Sequence, residues 1–166
     1  RYMPLDLNLA KGNHDIKIEY YEQGGNARVH VWWERITSPT YPDWKGEYWK
    51  NRDLSGAPAL VRNDPAVLFD WGTDAPAVGL PSDNFAARWS RQVTFPSGRY
   101  RFYALADDGV RVRLDNATII NEWHDSDGQR VYTADVTLNG TRSVVIEYFE
   151  RGGTAQVHVW WSRIGN

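Results

Sequence analysis

The sharpest chemical feature of the sequence is an adjacent acid pair, Asp107-Asp108, set just ahead of Gly109. Two neighbouring carboxylates repel each other, and no helix N-terminus accompanies them to offset the charge. A hard cation resolves that repulsion. Calcium takes six to eight oxygens at about 2.3–2.6 Å, and two carboxylates with nearby backbone carbonyls begin such a shell. The same three residues also read as an ordinary turn, because Asp and Gly suit the backbone of a strand connection. Residue type and spacing leave both readings open.

Other residues are weaker candidates. "HDSDG", His124 to Gly128, offers Asp125 and Asp127 but lacks the distal Glu and other ligand positions of a calcium loop, so it reads as a solvated turn. His30 and His158 sit in the same "VHVWW" context, which marks them as structural parts of a repeated unit. A lone His in each place also lacks the remaining ligands of a metal centre. Nine Trp raise the question of sugar binding, since aromatic faces stack on sugar C–H groups. Trp123 and Trp49 border polar loops and are the candidate platforms, whereas Trp33 and Trp161 share a strand face with Val pairs and read as core. Arg111 and Arg113 read as a solvated outer face.

Catalysis finds little support. Retaining glycosidases need two carboxylates about 5–5.5 Å apart that flank the bond, which side-by-side residues do not provide. No Ser-His-Asp order, phosphate loop or His-rich metal motif appears. The expectation is a protein that is not an enzyme.

The elements that must position these residues show a repeat. "EYYEQGGNARVHVWWERI", Glu19 to Ile36, returns as "EYFERGGTAQVHVWWSRI", Glu147 to Ile164, with thirteen of eighteen positions identical. The likeness extends back to Asp6 in the first copy and Asp135 in the second. Each copy reads as three strands with Gly-containing turns, Gly24-Gly25 and Gly152-Gly153. In the second copy Val144, Ile146 and Tyr148 alternate with Val145, Glu147 and Phe149, the period of a strand. "RYRFYAL" places Tyr100, Phe102 and Ala104 on one face, and "VRVRLD" places Val110, Val112 and Leu114 on another. "ATIINEW" follows. Thr37 to Trp44, with two prolines, reads as a linker, and the stretch from there to Arg88 as a loop-rich entry. No segment sustains a helical period, so the chain is expected to be nearly all β.

The simplest account is a tandem array. Residues 1–36 are the closing strands of one repeat, 37–43 a linker, and 44–166 a complete domain. Three strands with one apolar face cannot bury it alone. Their cover is the complete domain, a cleaved partner, neighbouring repeats, or a second copy of the chain through strand exchange or a homodimer.

Composition narrows the partners. The chain has 166 residues, a formal net charge of −2 and interspersed signs, which gives no basic footprint for nucleic acid. Its apolar runs are too short to span a bilayer. With no Cys, neither disulfides nor thiolate chemistry is available. That fits a bacterial surface protein or an intracellular one.

"WKGEYWKNRDLSGAPALVRNDPAVLFDWG" from Trp44, "GLPSDNFAARWS" from Gly79, "YRFYALADDGVRVRLDN" from Tyr100 and the closing "VVIEYFERGGTAQVHVWW" resemble the protective-antigen-fourteen (PA14) domain family, over Thr37 to Asn166. The resemblance implies an antiparallel β-sandwich used as a module in bacterial surface proteins, glycosidases, toxins and fungal adhesins. Several members are calcium-dependent lectins. It also implies a non-catalytic carbohydrate-binding module, secreted or at the cell surface, with a glycan or glycoconjugate as partner. The alternative is a structural spacer or protein-interaction repeat. In lectin members the adjacent Asp pair, usually joined by a cis peptide, binds calcium that holds vicinal sugar hydroxyls. Carried onto this sequence, that implies calcium ligation by Asp107, Asp108 and Glu150 with the backbone carbonyl of Arg151 or Gly152; the candidate sugar contacts are Asp107, Asp108 and Arg151, with Trp123 added from its place beside a polar loop. The loop after "VVIEYFE" departs from the adhesin pattern, beginning with Glu150 where Asn is usual.

Overall fold

The computed structural model of the chain describes residues 12–33 and 40–165. These belong to two separate units, Arg1–Ser38 and Pro39–Asn166.

The larger unit contains eight strands: β1 (Trp44–Trp49), β2 (Leu60–Asp64), β3 (Leu68–Gly72), β4 (Phe85–Asp107), β5 (Gly109–Leu114), β6 (Ala117–Glu122), β7 (Tyr132–Glu150) and β8 (Ala155–Gly165). All pairings are antiparallel, and the described residues include no helix. The axis is the long β4–β7 ladder, which runs from Phe85 opposite Glu150 to Ala104 opposite Tyr132. Its register shifts between Phe95 and Gly98, where Pro96 has no N–H to give the ladder. Before that bulge β4 is flanked by β1; after it, by β8. The order β2-β1-β4-β7-β5-β6 is one path through a single sheet; beyond the bulge β8 pairs with β4 and β3 with β8, and the rings of β3 and β8 face those of β1 and the first half of β4 as a second layer.

Rings lock the two layers together. Phe69 of β3 stacks on Trp89 of β4 at 5.4 Å, and Trp161 of β8 meets Trp44, Phe95 and Phe102 at 6.3, 5.6 and 5.3 Å. The alternation read from sequence is realised: Tyr100, Phe102 and Ala104, then Val110, Val112 and Leu114, then Val144, Ile146 and Tyr148 are all buried. The loop-rich entry is corrected, because it holds β1, β2 and β3. Those strands are short, β1 contains Gly46, and β2 ends in the buried Asp64, so neither length nor polarity announces them. Asp64 accepts hydrogen bonds from the Tyr48 hydroxyl, the Trp89 indole and Arg62 at 2.6, 2.8 and 2.7 Å, which satisfies its charge inside the core.

In the smaller unit, residues 12–33 fall in no strand; bends occupy Gly24 to Asn26. The strands expected here lack a neighbouring ladder, and Trp33, expected to be core, is 74% exposed. The first of the three expected strands, at Asp6 to Leu9, and the linker residues Thr37 to Pro39 lie outside the described residues.

Candidate functional site

Three carboxylates converge where β4, β5 and β7 meet. Asp107 closes β4, Asp108 bridges to β5, and Glu150 closes β7. The peptide bond joining Asp107 and Asp108 is cis. One carboxylate oxygen from each of the three residues lies within 4.8 Å of the others. Ligands of a single calcium ion stand at most about 5 Å apart, twice the ligand distance, so one ion can reach all three. Gly109 has to be Gly: a Cβ there would lie 2.1 Å from the Phe149 ring on β7.

The surrounding donors hold the acids in place. Asp108 Oδ1 accepts from the Ser126 N–H at 3.1 Å, and Oδ2 from the Arg151 N–H at 2.8 Å. The Thr154 hydroxyl donates to Asp107 Oδ2 at 2.8 Å. Ser126 itself is fixed by its hydroxyl, 2.6 Å from the Ala106 carbonyl. The Tyr148 hydroxyl lies 2.5 Å from the Asp107 carbonyl and 3.0 Å from Glu150 Oε2, with a single proton for both.

Glu150 is the unusual member. It has no exposed surface, and its Oε1 accepts no hydrogen bond. Burial raises its pKa to about 7, the Asp108 and Asp107 charges add to the rise, and the Tyr148 hydroxyl and Gly152 N–H act against it. Asp107, half-buried, is also pushed up, first by burial and then by the charges of Asp108 and Asp127, while Thr154 opposes. A buried carboxylate with an unsatisfied oxygen beside two more acids is the donor set that a divalent cation completes. The residues present therefore fit calcium.

The other sequence candidates are placed as follows. Arg151 reaches the cluster through its backbone; its exposed guanidinium pairs with Asp125. Gly152 is exposed, and its N–H opposes the rise in the Glu150 pKa. Trp123 is half-buried, with the Arg111 guanidinium 3.8 Å over its ring and Phe149 packed edge-on at 4.8 Å. One face of that indole is thus occupied by a cation. Trp49 is corrected: it is buried, and its indole N–H bonds the Gly56 carbonyl at 2.9 Å, so it offers no platform. Arg111 is corrected too, since it pairs with the buried Glu147 at 3.0 Å and is not a purely solvated residue. His158 is half-buried and stacks on Trp160 at 4.2 Å, and burial lowers its pKa.

The "HDSDG" loop forms a wall of the site and is not a free turn. Ser126 supports Asp108, Asp125 holds Arg151, and the Gly128 carbonyl accepts from Gln156 at 3.2 Å. Sequence reasoning weighed its acids and passed over its serine, for which residue type alone gives no signal.

Comparison with known proteins places this geometry. The sequence model of the PA14 domain family matches residues 43–165. The anti-sigma-I factor RsgI3 of Acetivibrio thermocellus is 31% identical over 121 residues, covering 71% of this chain and 18% of that protein. A solved anti-sigma factor domain-containing protein is 31% identical with a TM-score of 0.69, covering 73% of this chain and 43% of that one. The PA14 sugar-binding domain from an RTX adhesin shares the fold at 19% identity and a TM-score of 0.54, covering 72% of this chain and 89% of that one. The chain thus spans less than half the length of the first two.

Proposed function

The chain belongs to the PA14 domain family, and from that premise we propose that its eight-stranded unit is a non-catalytic, calcium-dependent carbohydrate-binding module of a secreted or cell-surface protein. One observation carries the reading: the buried Glu150 oxygen without a hydrogen-bond partner, facing the Asp107 and Asp108 carboxylates. Calcium, when bound, supplies coordination positions beyond the three carboxylates, and vicinal hydroxyls of a sugar take them. The chain's own residues do the positioning. Ser126 and the Arg151 N–H aim Asp108, and Thr154 aims Asp107. Glu150 at the end of β7 closes the buried side. Exposed Arg151, Gly152, Gly153 and Thr154 rim the open side and supply polar contacts. The RTX adhesin neighbour, a sugar-binding domain by name, supports the reading. The anti-sigma relatives carry the same module in proteins of another description, so the parent protein's activity is not inferred from them.

The test is calorimetric titration with calcium, followed by a glycan array with and without EDTA. One ion per chain is expected, with weak sugar retention that EDTA abolishes, because an open polar site loses much to desolvation and ordering. Sugar binding indifferent to EDTA, or no retention on any glycan in calcium, overturns the proposal.

A second reading, a calcium-rigidified spacer, draws on the tight internal bonding of the same acids. Asp108→Asn separates the two. It removes one charge and leaves an amide facing the Ser126 or Arg151 N–H, at a cost of about 1–3 kcal/mol. A lowered Tm with loss of calcium, in a module whose parent retains no glycan, identifies the spacer. Loss of an existing glycan signal identifies the lectin.

A further inference from the structure

Residues 12–33 duplicate residues 140–161 of the β7–β8 hairpin at an offset of 128, yet they meet opposite surroundings. Ile16, Ile18 and Tyr20 correspond to Val144, Ile146 and Tyr148, and Val29 and Val31 to Val157 and Val159. Val144, Ile146, Tyr148 and Val157 have no exposed surface, whereas Ile16, Tyr20 and Val29 are 61%, 50% and 53% exposed. Apolar residues on one alternating face with that much surface in water mark a missing neighbour.

The turn of this segment already carries the local geometry of the candidate site. The Tyr20 hydroxyl donates to Glu22 Oε2 at 3.2 Å, as Tyr148 does to Glu150 Oε2 at 3.0 Å. The Gly24 N–H donates to Glu22 Oε1 at 2.5 Å, whereas the corresponding oxygen of Glu150 has no hydrogen-bond partner. Gly25 has φ of 99° and Gly153 has 109°, a left-handed conformation that favours glycine at both places. The two turns share the Tyr–Glu contact and the left-handed second glycine.

We propose that residues 12–33, with their flanks, are the closing hairpin of a second PA14 sandwich joined upstream of them, and that Glu22 is that sandwich's third site carboxylate. The role given to Glu22 rests on the calcium reading above; the role of the hairpin does not. What covers residues 144–161 in this chain defines the occupant. It is a set of strands like β1 to β6, with a long central strand bearing alternate apolar residues and ending in an acid pair. The sandwich of residues 40–165 does not offer that berth to another copy, because its β4 is already paired along its second half with β7 on one side and β8 on the other.

The chain supplies its own test. Residues 39–134 are joined ahead of Asp6, so that residues 6–36 stand where 135–164 stand in the native domain. The expected chimera has two sandwiches, gains protease protection over residues 12–33, and shows blue-shifted emission from Trp32 and Trp33 relative to the 166-residue chain. Calcium stoichiometry rises from one to two, and Glu22→Gln returns it to one with both sandwiches folded. Persistent cleavage within 12–33 and unshifted emission overturn the hairpin proposal. So does concentration-dependent dimerisation of the 166-residue chain that protects the segment without any added strands. Two folded sandwiches whose calcium count is unchanged by Glu22→Gln overturn the role of Glu22. A parent chain that binds no calcium sinks the calcium reading and Glu22 with it, and leaves the hairpin to be judged by proteolysis.

Discussion

Glu150 accounts for most of the chemistry at the residue scale. Its ordinary pKa is 4.5, and in the fold it is about 7. Below pH 4.5 the carboxyl is protonated both folded and unfolded and contributes no difference. Between 4.5 and 7 the unfolded chain releases a proton that the folded chain retains, so folding stability falls as pH rises through that window. Asp107, also shifted upward, acts with the same sign. In a chelator-containing buffer, the unfolding free energy followed by calorimetry is expected to decline from pH 4.5 to 7 and then level off, the loss being at most about 3 kcal/mol for Glu150. Glu150→Gln flattens most of the slope. Added calcium opposes the decline, because the ion favours the ionised acid. The acid pair was legible in sequence because two adjacent carboxylates need an explanation. Glu150 was legible only through family resemblance, since a Glu at the end of a strand has no chemical signature until its burial is seen. Ser126 and Thr154 were invisible for the same reason: their work is done by position.

At the scale of elements, a charged row binds β4, β7 and β5 on the face opposite the core. Glu147 is 2% exposed, between Arg88 at 2.7 Å and Arg111 at 3.0 Å, on the strands to either side. Trp49 lies 5.3 Å from Arg88 and Trp123 3.8 Å from Arg111, so indoles shelter both ends of the row. Glu147→Ala strands two cations in a partly dry setting and is expected to cost about 3–5 kcal/mol in urea unfolding, whereas Arg113→Ala, on the exposed side of β5, stays within about 0.5 kcal/mol. The counterpart Glu19 is exposed and pairs with Lys17 at 2.7 Å, a contact worth little in water. Alternation in sequence located β5 and the ends of β4, β7 and β8, where one face meets the core and the other meets solvent. It missed β1, whose alternation is broken by Gly46, and β2 and β3, whose residues are mostly half-buried or exposed, and it missed the continuity of β4 across Pro96 and Gly98.

At the scale of the whole molecule, the two units predict separate behaviour. Deleting residues 1–38 removes a segment whose described apolar residues, Ile16 to Trp33, are in water and leaves the sandwich's own core contacts in place. Scanning calorimetry is expected to find the Tm of residues 39–166 within about 2 °C of the full chain. Light scattering is expected to find less self-association, because Tyr21, Trp32 and Trp33 are no longer presented. The repeat that exposed this division was plain in the sequence, as was the all-β class. What sequence left open was what covers the first copy, since near-identical residues take opposite environments according to the strands beside them.

The long β4 has a further consequence for how the domain is made. From Arg99 to Ala104 it lies in the plane of the sheet between residues 132–137 and residues 159–165, both of which follow it in the chain. A ribosome releasing the polypeptide from its N-terminus must therefore deliver nearly the last described residue of the domain before Arg99 acquires its final neighbour. Until then an aromatic-rich ribbon waits without its lateral neighbours, so the time of synthesis from Arg99 to Gly165 sets how long a nascent chain remains open to the wrong partner.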